Sequence, residues 1–292
     1  MPSKAACVIP THGRPDHLSR SLDSALQQTL APAEVIVVDD LDHGPTAAVV
    51  KVTALRTEIP MRRVLNKAQP GASGSRNAGA TASRSEFVAF LDDDDIWRPE
   101  YLARAMADLE RTGADAVISG LSRIKHDGSI QHIVIPSREA IERRLFDKNF
   151  GMTGSNLVIR RSAFERLGGF DPALPVFNDW DFLIRMVSAG IAYGVVPEAT
   201  VEWREHEGDR LSTPTLHRAA GIETFVAKHA ATMPPLSQRN LMADALGIRW
   251  RNAASFPARI ALMSKLLRLL GLREAIGRRL GISKRWAAEA SI

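Results

Sequence analysis

The first hundred residues alternate short apolar runs with stretches in which apolar side chains recur every three to four positions. Short apolar runs bounded by turn residues are typical of buried strands, and the longer period is typical of helices. The pattern predicts strands at 5–10, 34–39, 62–65 and 87–91, and helices at 16–28, 46–58, 73–83 and 99–111. This alternation predicts an α/β fold with a mostly parallel sheet that is flanked by helices.

The order of elements changes after about residue 115. Apolar runs predict strands at 116–124, 155–159, 191–196 and 200–203, and periodic segments predict helices at 137–146, 162–167 and 180–189. The pair Asp127-Gly128 predicts a tight hairpin. Every segment beyond Pro214 has a helical period, so we expect a domain over 1–214 and a helical C-terminal extension over 215–292.

Composition narrows the class of protein. A hydrophobic content of 45% in 292 residues is ordinary for a globular chain with a real core. The only cysteine, Cys7, excludes an internal disulfide and a cysteine zinc cage, and it favours a cytoplasmic location. We expect no secretory signal at residues 1–4 and no bilayer-spanning segment, because no apolar run has the necessary length.

The positive charge lies mainly in the extension. Residues 215–292 carry 13 basic and 4 acidic residues, whereas the remainder carries 25 and 29. Within 256–286, apolar residues at helical spacing are interleaved with arginines and lysines, which is typical of interfacial helices. Three interpretations stay open: peripheral contact with an anionic membrane surface, packing as a helical subdomain, or formation of a homodimer.

Four carboxylates directly follow the predicted strand at 87–91, in the sequence FLDDDDIW. Ligands of parallel α/β sheets bind beyond the carboxyl ends of the strands. In an extended backbone, Asp92 and Asp94 would face one side and Asp93 and Asp95 the other. Such an Asp-x-Asp pair suits Mg²⁺ or Mn²⁺, which proteins commonly hold with one or two carboxylates and substrate phosphates. The run is therefore either a metal–diphosphate clamp or a solvated acidic turn.

Five blocks in order resemble the family-2 glycosyltransferases over roughly residues 5–212: CVIPTHGRPDHLSRSL, EVIVVDD, GASGSRNAGATASRSEFVAFLDDDDIWRPEYL, GSNLVIRRSAFERLGGFDP and NDWDFLIRMVSAGI. The resemblance implies the GT-A fold, with a Rossmann-like nucleotide-sugar-binding half over about 1–97 and an acceptor half over 98–214. It also implies an inverting, Mn²⁺- or Mg²⁺-dependent transfer. The implied donor is a nucleoside diphosphate sugar of the UDP, GDP or dTDP type, and the implied acceptor is a hydroxyl of a glycan, a lipid-linked saccharide or a small molecule.

The resemblance also implies nucleotide-sugar contacts from Pro10, Thr11, His12, Arg14, Asp39, Asp40, Gly71, Arg76, Asn77, Asp92 and Asp93. Asp40 would accept the imide N–H of the base, whereas Asp39 is either a ligand or a capping residue. Leu41-Asp42 stands where the family has Gly-Ser, which leaves the base preference open. Arg76 would pair with the diphosphate at a helix start, where backbone N–H groups also favour anions.

The implied metal ligands are Asp94, Asp92 (on the metal or the ribose) and His206. His206 lies in WREHEGDRLS and is either a ligand or an exposed loop residue. The implied general base is Asp179, in the block NDWDF, where Asn178 replaces the common Glu. Asp181 is the alternative base if the alignment with the family is shifted by one helical step. Both carboxylates also have a structural interpretation at a helix start.

Other functions have less support in the sequence. A nucleotidyltransferase would need a glycine-rich triphosphate loop after the first strand, and a dehydrogenase would need G-x-G-x-x-G there. We expect no nucleic-acid partner, because the basic extension lacks interleaved aromatic residues and a recognised module. A catalytically inactive nucleotide-sugar-binding relative is the remaining alternative, and the presence of Asp92, Asp94 and Asp179 disfavours it.

Overall fold

The computed structural model describes residues 3–67, 69–205 and 214–271. The chain divides into two units. The first comprises Met1–Arg143, Phe150–Pro172 and Phe182–Glu207, and the second comprises Arg144–Asn149, Ala173–Asp181 and the described part of Gly208–Ile292. The predicted division at residue 214 stays a prediction.

A nine-stranded sheet forms the centre of the first unit. Its strands are β1 (Ala5–Thr11), β2 (Glu34–Asp39), β3 (Met61–Leu65), β4 (Phe87–Phe90), β5 (Ile96–Trp97), β6 (Ala116–Ile124), β7 (Ile130–Ile133), β8 (Leu157–Arg160) and β9 (Tyr193–Arg204). They lie in the order β3-β2-β1-β4-β8-β6-β9-β5, and β7 pairs with β6. The four strands from β3 to β4 are parallel, whereas β8 is antiparallel to both β4 and β6.

Ten α-helices accompany the sheet in the described residues: α1 (Pro15–Leu26), α2 (Gly44–Ala54), α3 (Ala72–Ala82), α4 (Tyr101–Thr112), α5 (Arg138–Arg143), α6 (Arg161–Arg166), α7 (Asn178–Ser188), α8 (Leu216–His229), α9 (Pro235–Arg251) and α10 (Phe256–Leu270). The first six belong to the first unit and the last three to the second, while α7 contributes residues to both. No helix among the described residues combines the length and the apolar character needed to cross a bilayer. The predicted α/β class is confirmed.

Burial explains why the strands were readable from the sequence. Every residue of β1 is buried, and so are five of the six in β2, because parallel strands are covered on both faces. Next to β4, the rings of Phe90, Phe164, Phe170 and Phe182 form an aromatic cluster with centroids 4.6–5.7 Å apart. The cluster packs at the carboxyl end of β4, whose last residue is Phe90.

Three strand predictions in the second half of the sheet, 155–159, 191–196 and 200–203, were wrong in their bounds. The segments 191–196 and 200–203 form one strand, β9, whose pairing with β6 shifts register around Gly120. A Cβ at Gly120 would lie 2.5 Å from the carbonyl oxygen of Pro197, so only glycine allows the irregular strand to approach there. The strand predicted to begin at residue 155 begins at Leu157, because Gly154–Asn156 form a 3₁₀ turn.

The close packing of α3 on the sheet generates a stability prediction. A Cβ at Gly79 would lie 2.2 Å from Cγ1 of Val8 and 3.0 Å from Cγ2 of Val38, so helix and strands must separate to admit it. Overpacking costs about 1–3 kcal/mol, which exceeds the gain in helix propensity of up to about 1 kcal/mol. We expect Gly79→Ala to lower the free energy of unfolding in urea by about 1 kcal/mol or more.

The matched control is Gly44→Ala at the start of α2, where nothing lies within 4 Å of the added Cβ. It should leave the urea midpoint unchanged or slightly raised. Equal midpoints for Gly79→Ala and the control would contradict the close-packing argument.

Candidate functional site

The carboxyl ends of β1, β2 and β4 meet at one edge of the sheet because the three strands are parallel. Thr11, the last residue of β1, is in register with Asp39, the last residue of β2. The N–H of Asp40 donates to the carbonyl of Thr11 at 3.2 Å, which holds the two strand ends together beyond the ladder. Pro10 is buried in β1 one residue earlier. The edge therefore gathers predicted site residues from separate parts of the sequence.

The four aspartates after β4 alternate between buried and partly exposed positions. Asp93 and Asp95 are 0% and 1% exposed, whereas the side chains of Asp92 and Asp94 are 26% and 18% exposed. The predicted pairing by side is thus observed, but not for the predicted reason. The backbone turns here, with the N–H of Asp95 donating to the carbonyl of Asp92 at 3.1 Å.

The two buried carboxylates are bound by hydroxyl and guanidinium groups. Asp93 accepts from Thr11 Oγ1 at 2.7 Å and from the guanidinium of Arg14, the residue that precedes α1. Burial raises the pKa of Asp93 to about 7, although the charge of Arg14 opposes the shift. Asp95 accepts from Ser155 Oγ at 2.5 Å, and burial raises its pKa well above the usual value of an aspartate.

Each of the two partly exposed carboxylates is paired with an arginine. Nη2 of Arg76 lies 2.7 and 2.8 Å from the two oxygens of Asp92, and Nη1 of Arg14 lies 2.9 Å from Oδ2 of Asp94. These pairs offset the repulsion between neighbouring carboxylates. The edge therefore presents alternating fixed charges of both signs, which is the kind of surface that binds a diphosphate with its counter-ion.

Packing fixes the guanidinium of Arg76 in place. Its side chain is only 4% exposed and lies 5.1 Å from the ring centroid of Phe170. On another side, a Cβ at Gly154 would lie 2.5 Å from the guanidinium nitrogens, so the absence of a side chain there makes room for the arginine. The sequence indicated Arg76, but not the glycine that accommodates it.

The donor set at this edge fits a divalent cation shared with a substrate. The described residues contain no group of three or more His, Cys, Asp or Glu side chains arranged to hold a metal. Two partly exposed carboxylates, Asp92 and Asp94, are hard oxygen donors of the kind that Mg²⁺ and Mn²⁺ use together with substrate phosphates. His206, the predicted third ligand, lies outside the described residues.

The acidic pair after β2 organises the neighbouring loops. Asp39 is 1% exposed and accepts from the N–H groups of Leu41 and His43 at 3.0 Å each and from Arg63 at 2.7 Å. These contacts favour the capping interpretation of Asp39. Asp40 has a different set of partners.

Asp40 fastens the loop before α3 to the end of β2. It accepts from Asn66 Nδ2 at 2.8 Å, from the N–H of Gly71 at 2.7 Å and from the hydroxyl of Ser75. Nδ1 of His12, whose side chain is 64% exposed, lies 3.6 Å from an Asp40 oxygen. The backbone of Gly71 has φ +101°, which favours glycine at this loop position. The predicted contact of Asp40 with a base stays a prediction.

Asn77 is placed where its amide serves the fold. Its Nδ2 donates to the carbonyl of Phe170 at 2.8 Å, and its Oδ1 accepts from the N–H of Phe170 at 2.8 Å. A Cβ at Gly169 would lie 2.4 Å from that Oδ1. Asn77 thus anchors the loop 168–170 through both the nitrogen and the oxygen of its amide. Its predicted nucleotide contact stays a prediction.

The two candidate bases at the start of α7 have different surroundings within the second unit. Asp181 is 0% exposed, and its Oδ1 lies 2.7 Å from Nζ of Lys228 and 3.0 Å from Nε2 of His229. Asp179 is only half-buried. The residue before the helix, Phe177, has φ +62°, a conformation that is strained for a bulky side chain.

Three residues that complete these arrangements were not identified from the sequence: Ser155, Lys228 and His229. Ser155 also accepts from the backbone N–H of Asp92 at 3.0 Å, so one hydroxyl joins the first and last members of the acidic run. These four partnerships link residues 47 to 63 positions apart. A local sequence pattern carries no signal for pairs at that separation.

The fold of this chain resembles that of two solved structures. S. aureus TarS 1–349 in complex with UDP-GlcNAc superposes with a TM-score of 0.65 at 16% identity, over 91% of this chain and 81% of that one. The mannosyltransferase PcManGT from Pyrobaculum calidifontis, in complex with GDP-Man and Mn²⁺, superposes with a TM-score of 0.63 at 18% identity, over 99% of this chain and 83% of that one. These likenesses confirm the predicted GT-A fold.

Two curated relatives illustrate the sequence likeness. The succinoglycan biosynthesis protein ExoO of Rhizobium meliloti (strain 1021) is 28% identical over 77% of this chain and 66% of its own length. WfgD of Escherichia coli, a UDP-Glc:alpha-D-GlcNAc-diphosphoundecaprenol beta-1,3-glucosyltransferase, is 26% identical over 53% of this chain and 59% of its own length. The chain thus spans less than two thirds of the length of these relatives.

The sequence profile described as "Glycosyl transferase family 2" matches residues 6–168, which is more than half of the chain. The matched region contains β1, β2, α3 and the acidic run after β4. The match confirms the family, and with it the glycosyltransferase class, that the sequence motifs predicted. This chain belongs to glycosyl transferase family 2.

Proposed function

We propose that this chain transfers a sugar from a nucleoside diphosphate sugar to a hydroxyl acceptor in polysaccharide biosynthesis, with inversion at the anomeric carbon. The observation that carries the proposal is the acidic run at the sheet edge, whose two partly exposed carboxylates are flanked by Arg14 and Arg76. Family membership and the role named for ExoO support it. The donors bound by TarS and PcManGT support a UDP- or GDP-type sugar.

In this proposal, Asp92 and Asp94 hold Mn²⁺ or Mg²⁺ together with the diphosphate. When bound, the cation would neutralise charge that develops on the leaving nucleoside diphosphate. Arg76, which is fixed by packing, and Arg14, at the start of α1, contribute positive charge on either side of the same carboxylates. Asp93 and Asp95 have a structural role, because their buried contacts with Thr11 and Ser155 fix the turn that carries Asp92 and Asp94.

The nucleoside would lie over the ends of β1 and β2, near Thr11, His12 and Asp40. The exposed imidazole of His12 is available to stack on a base, and the backbone at Gly71 allows a close approach by the ribose or a phosphate. Asp39 supports this region through its buried loop contacts rather than as a ligand. Asn77 supports it through the backbone of Phe170.

We assign the general base to Asp179. Inversion requires a carboxylate that takes the proton of the acceptor hydroxyl while this hydroxyl attacks from the face opposite the leaving group. Asp179 is half-buried in the first turn of α7, whereas Asp181 is fully buried against the side chains of Lys228 and His229. A fully enclosed carboxylate is poorly placed to reach a diffusing acceptor, so Asp181 has the structural role.

The acceptor is a hydroxyl of a growing glycan, and we favour one carried on a polyprenyl diphosphate. The name of WfgD specifies such a lipid-linked saccharide for that relative. A cytoplasmic enzyme that elongates such a carrier meets its acceptor at a membrane surface.

Replacing Asp94 tests the metal clamp. A nucleotide present at about 100 times its dissociation constant stabilises a protein by roughly 2.7 kcal/mol, which a thermal shift detects. We expect one of UDP, GDP, dTDP or CDP to stabilise the wild-type chain with Mn²⁺ but not with a chelator, and Asp94→Asn to lose that shift. Asp127→Asn, in the exposed hairpin turn between β6 and β7, is the control and should retain it. An undiminished Mn²⁺-dependent shift in Asp94→Asn would exclude Asp94 as a ligand.

Replacing Asp179 tests the base. We expect Asp179→Asn to reduce the rate of transfer by about 10²–10⁴-fold, because an amide cannot accept the acceptor proton. Donor binding, measured as the thermal shift with Mn²⁺, should stay at the wild-type value. Transfer at the wild-type rate by Asp179→Asn would assign the base to another residue.

Replacing Asp181 tests its structural role. Removing one member of a buried ion pair commonly costs about 3–5 kcal/mol, because the partner charge is left without compensation. Lys228 is 29% exposed and can reach water, so we expect Asp181→Ala to lie near the lower end of that range in urea unfolding. Asp179→Ala serves as the matched control at the same helix start. Equal losses of stability in the two variants would remove the distinction between the two carboxylates.

A further inference from the structure

Four large apolar side chains are exposed on the described helices of the second unit: Leu236 on α9, and three others on α8 and α10. Leu216 is 49% exposed, Phe256 is 75% exposed and Ile260 is 55% exposed. Leu216 begins α8, Phe256 begins α10, and Ile260 lies one turn further along α10. Single exposed apolar residues are common on protein surfaces. They indicate a binding surface only where several of them lie close together.

The connections of the helices bring Leu216, Phe256 and Ile260 to the same end of the unit. α9 packs against both α8 and α10. At its C-terminal end, Nδ2 of Asn252 donates to the carbonyl of Pro214 at 3.0 Å, two residues before α8 begins. The chain then enters α10 four residues after Asn252. The first turns of α8 and α10 therefore flank the last turn of α9.

The segment that contains the end of α9 and the whole of α10 carries only basic charges. No Asp or Glu occurs from residue 245 to residue 271, whereas this segment contains five arginines and lysines. One of the five, Arg249, is neutralised by Glu223, with N–O distances of 2.6 and 2.7 Å. Arg251 and Arg259 are exposed at the same end as the apolar side chains. Lys265 and Arg268 are exposed further along α10.

We propose that this end surface, formed by Leu216, Arg251, Phe256, Arg259 and Ile260, docks the protein on an anionic lipid bilayer. Phe256 and Ile260 would enter the boundary between headgroups and acyl chains, while the two arginines remain at the level of the lipid phosphates. The apolar side chains would thereby contact acyl chains, and the arginines would contact phosphates.

The mixture of apolar and basic groups selects this occupant over the others. A second copy of the chain would bring arginines against arginines, which is destabilising between like charges. A nucleic acid would pair with the arginines but leave the apolar side chains without a partner. An anionic bilayer offers phosphates and a hydrophobic layer within a few ångströms of each other.

The docking proposal goes beyond the proposed function and does not depend on it. Binding to vesicles needs neither donor nor acceptor, so it can be measured even if the proposed transfer reaction is wrong. If both hold, docking brings the enzyme to the surface where a lipid-linked acceptor resides.

The test is co-flotation of the full chain with phosphatidylcholine vesicles that do or do not contain phosphatidylglycerol. We expect binding only to the anionic vesicles and weakening of this binding at high salt. The double variant F256S/I260S should bind at least about tenfold more weakly. R251Q/R259Q should bind more weakly to the anionic vesicles as well.

The matched control is L236S. Leu236 is 55% exposed, comparable to Ile260, but it lies at the opposite end of α9, about 25 Å away along a helix of 17 residues. It should bind vesicles as the wild type does. The melting temperatures of the variants should match that of the wild type, since all of the replaced side chains are exposed.

Three results would overturn the proposal. One is the absence of binding to anionic vesicles, and another is equal weakening by L236S and F256S/I260S. The third is a dimer in light scattering that F256S/I260S dissociates, because the surface would then be an interface between copies of this chain.

Discussion

Four adjacent carboxylates at the end of a buried strand impose the main electrostatic constraint on this protein. Like charges so close repel each other, and burial adds a desolvation cost to two of them. The fold meets this constraint with two arginines and two hydroxyl groups: Arg14, Arg76, Thr11 and Ser155. They come from three separate segments, the β1–α1 region, α3 and the turn before β8, so the acidic run can exist in this form only after these segments have assembled.

Glycines are as necessary to this arrangement as the charged groups. Gly154 leaves room for the guanidinium of Arg76, and Gly79 lets α3, which carries Arg76, lie directly on β1 and β2. Each contact is closer than a side chain of any other residue would allow. The positions of the charges at the sheet edge are therefore set by backbone approach, and the ion pairs follow from it.

Most of the first half of the fold could be predicted from the sequence, because its strands are continuous apolar runs that are buried on both faces. It carried less of the second half. β5 has only two residues, so it has no periodicity to detect, and its pairing with β9 depends on tertiary contact. The irregular register of β9 with β6 broke one strand into two apparent ones.

The candidate site shows the same limit. Four aspartates at the end of a predicted strand indicated the acidic run, and the family resemblance indicated Arg76 in the motif of α3. What each side chain contacts in the folded chain was not readable. The sequence left Asp39 open between a ligand and a capping residue, and only the position of Arg63 on the neighbouring strand β3 and the loop N–H groups favours the cap. Asn77 likewise contacts a residue 93 positions away.

The start of α7 shows why the C-terminal helices matter beyond their charge. Phe177 holds a left-handed backbone conformation that costs on the order of 1–3 kcal/mol and therefore needs support. Its ring packs edge-on against Trp180 and Phe225, and Arg218 lies over it at 5.2 Å. Phe225 and Arg218 both belong to α8.

The same helix, α8, supplies both partners of Asp181, Lys228 and His229. It thus contacts the start of α7 on both sides of Asp179, at Phe177 and at Asp181. A carboxylate that is to accept a proton from a bound hydroxyl must be held within a fraction of an ångström of its working position. By fixing the residues two before and two after Asp179, α8 supplies that restraint. The helical extension is therefore part of the framework of the proposed catalytic base, and a shortened chain that lacks it would lose this support.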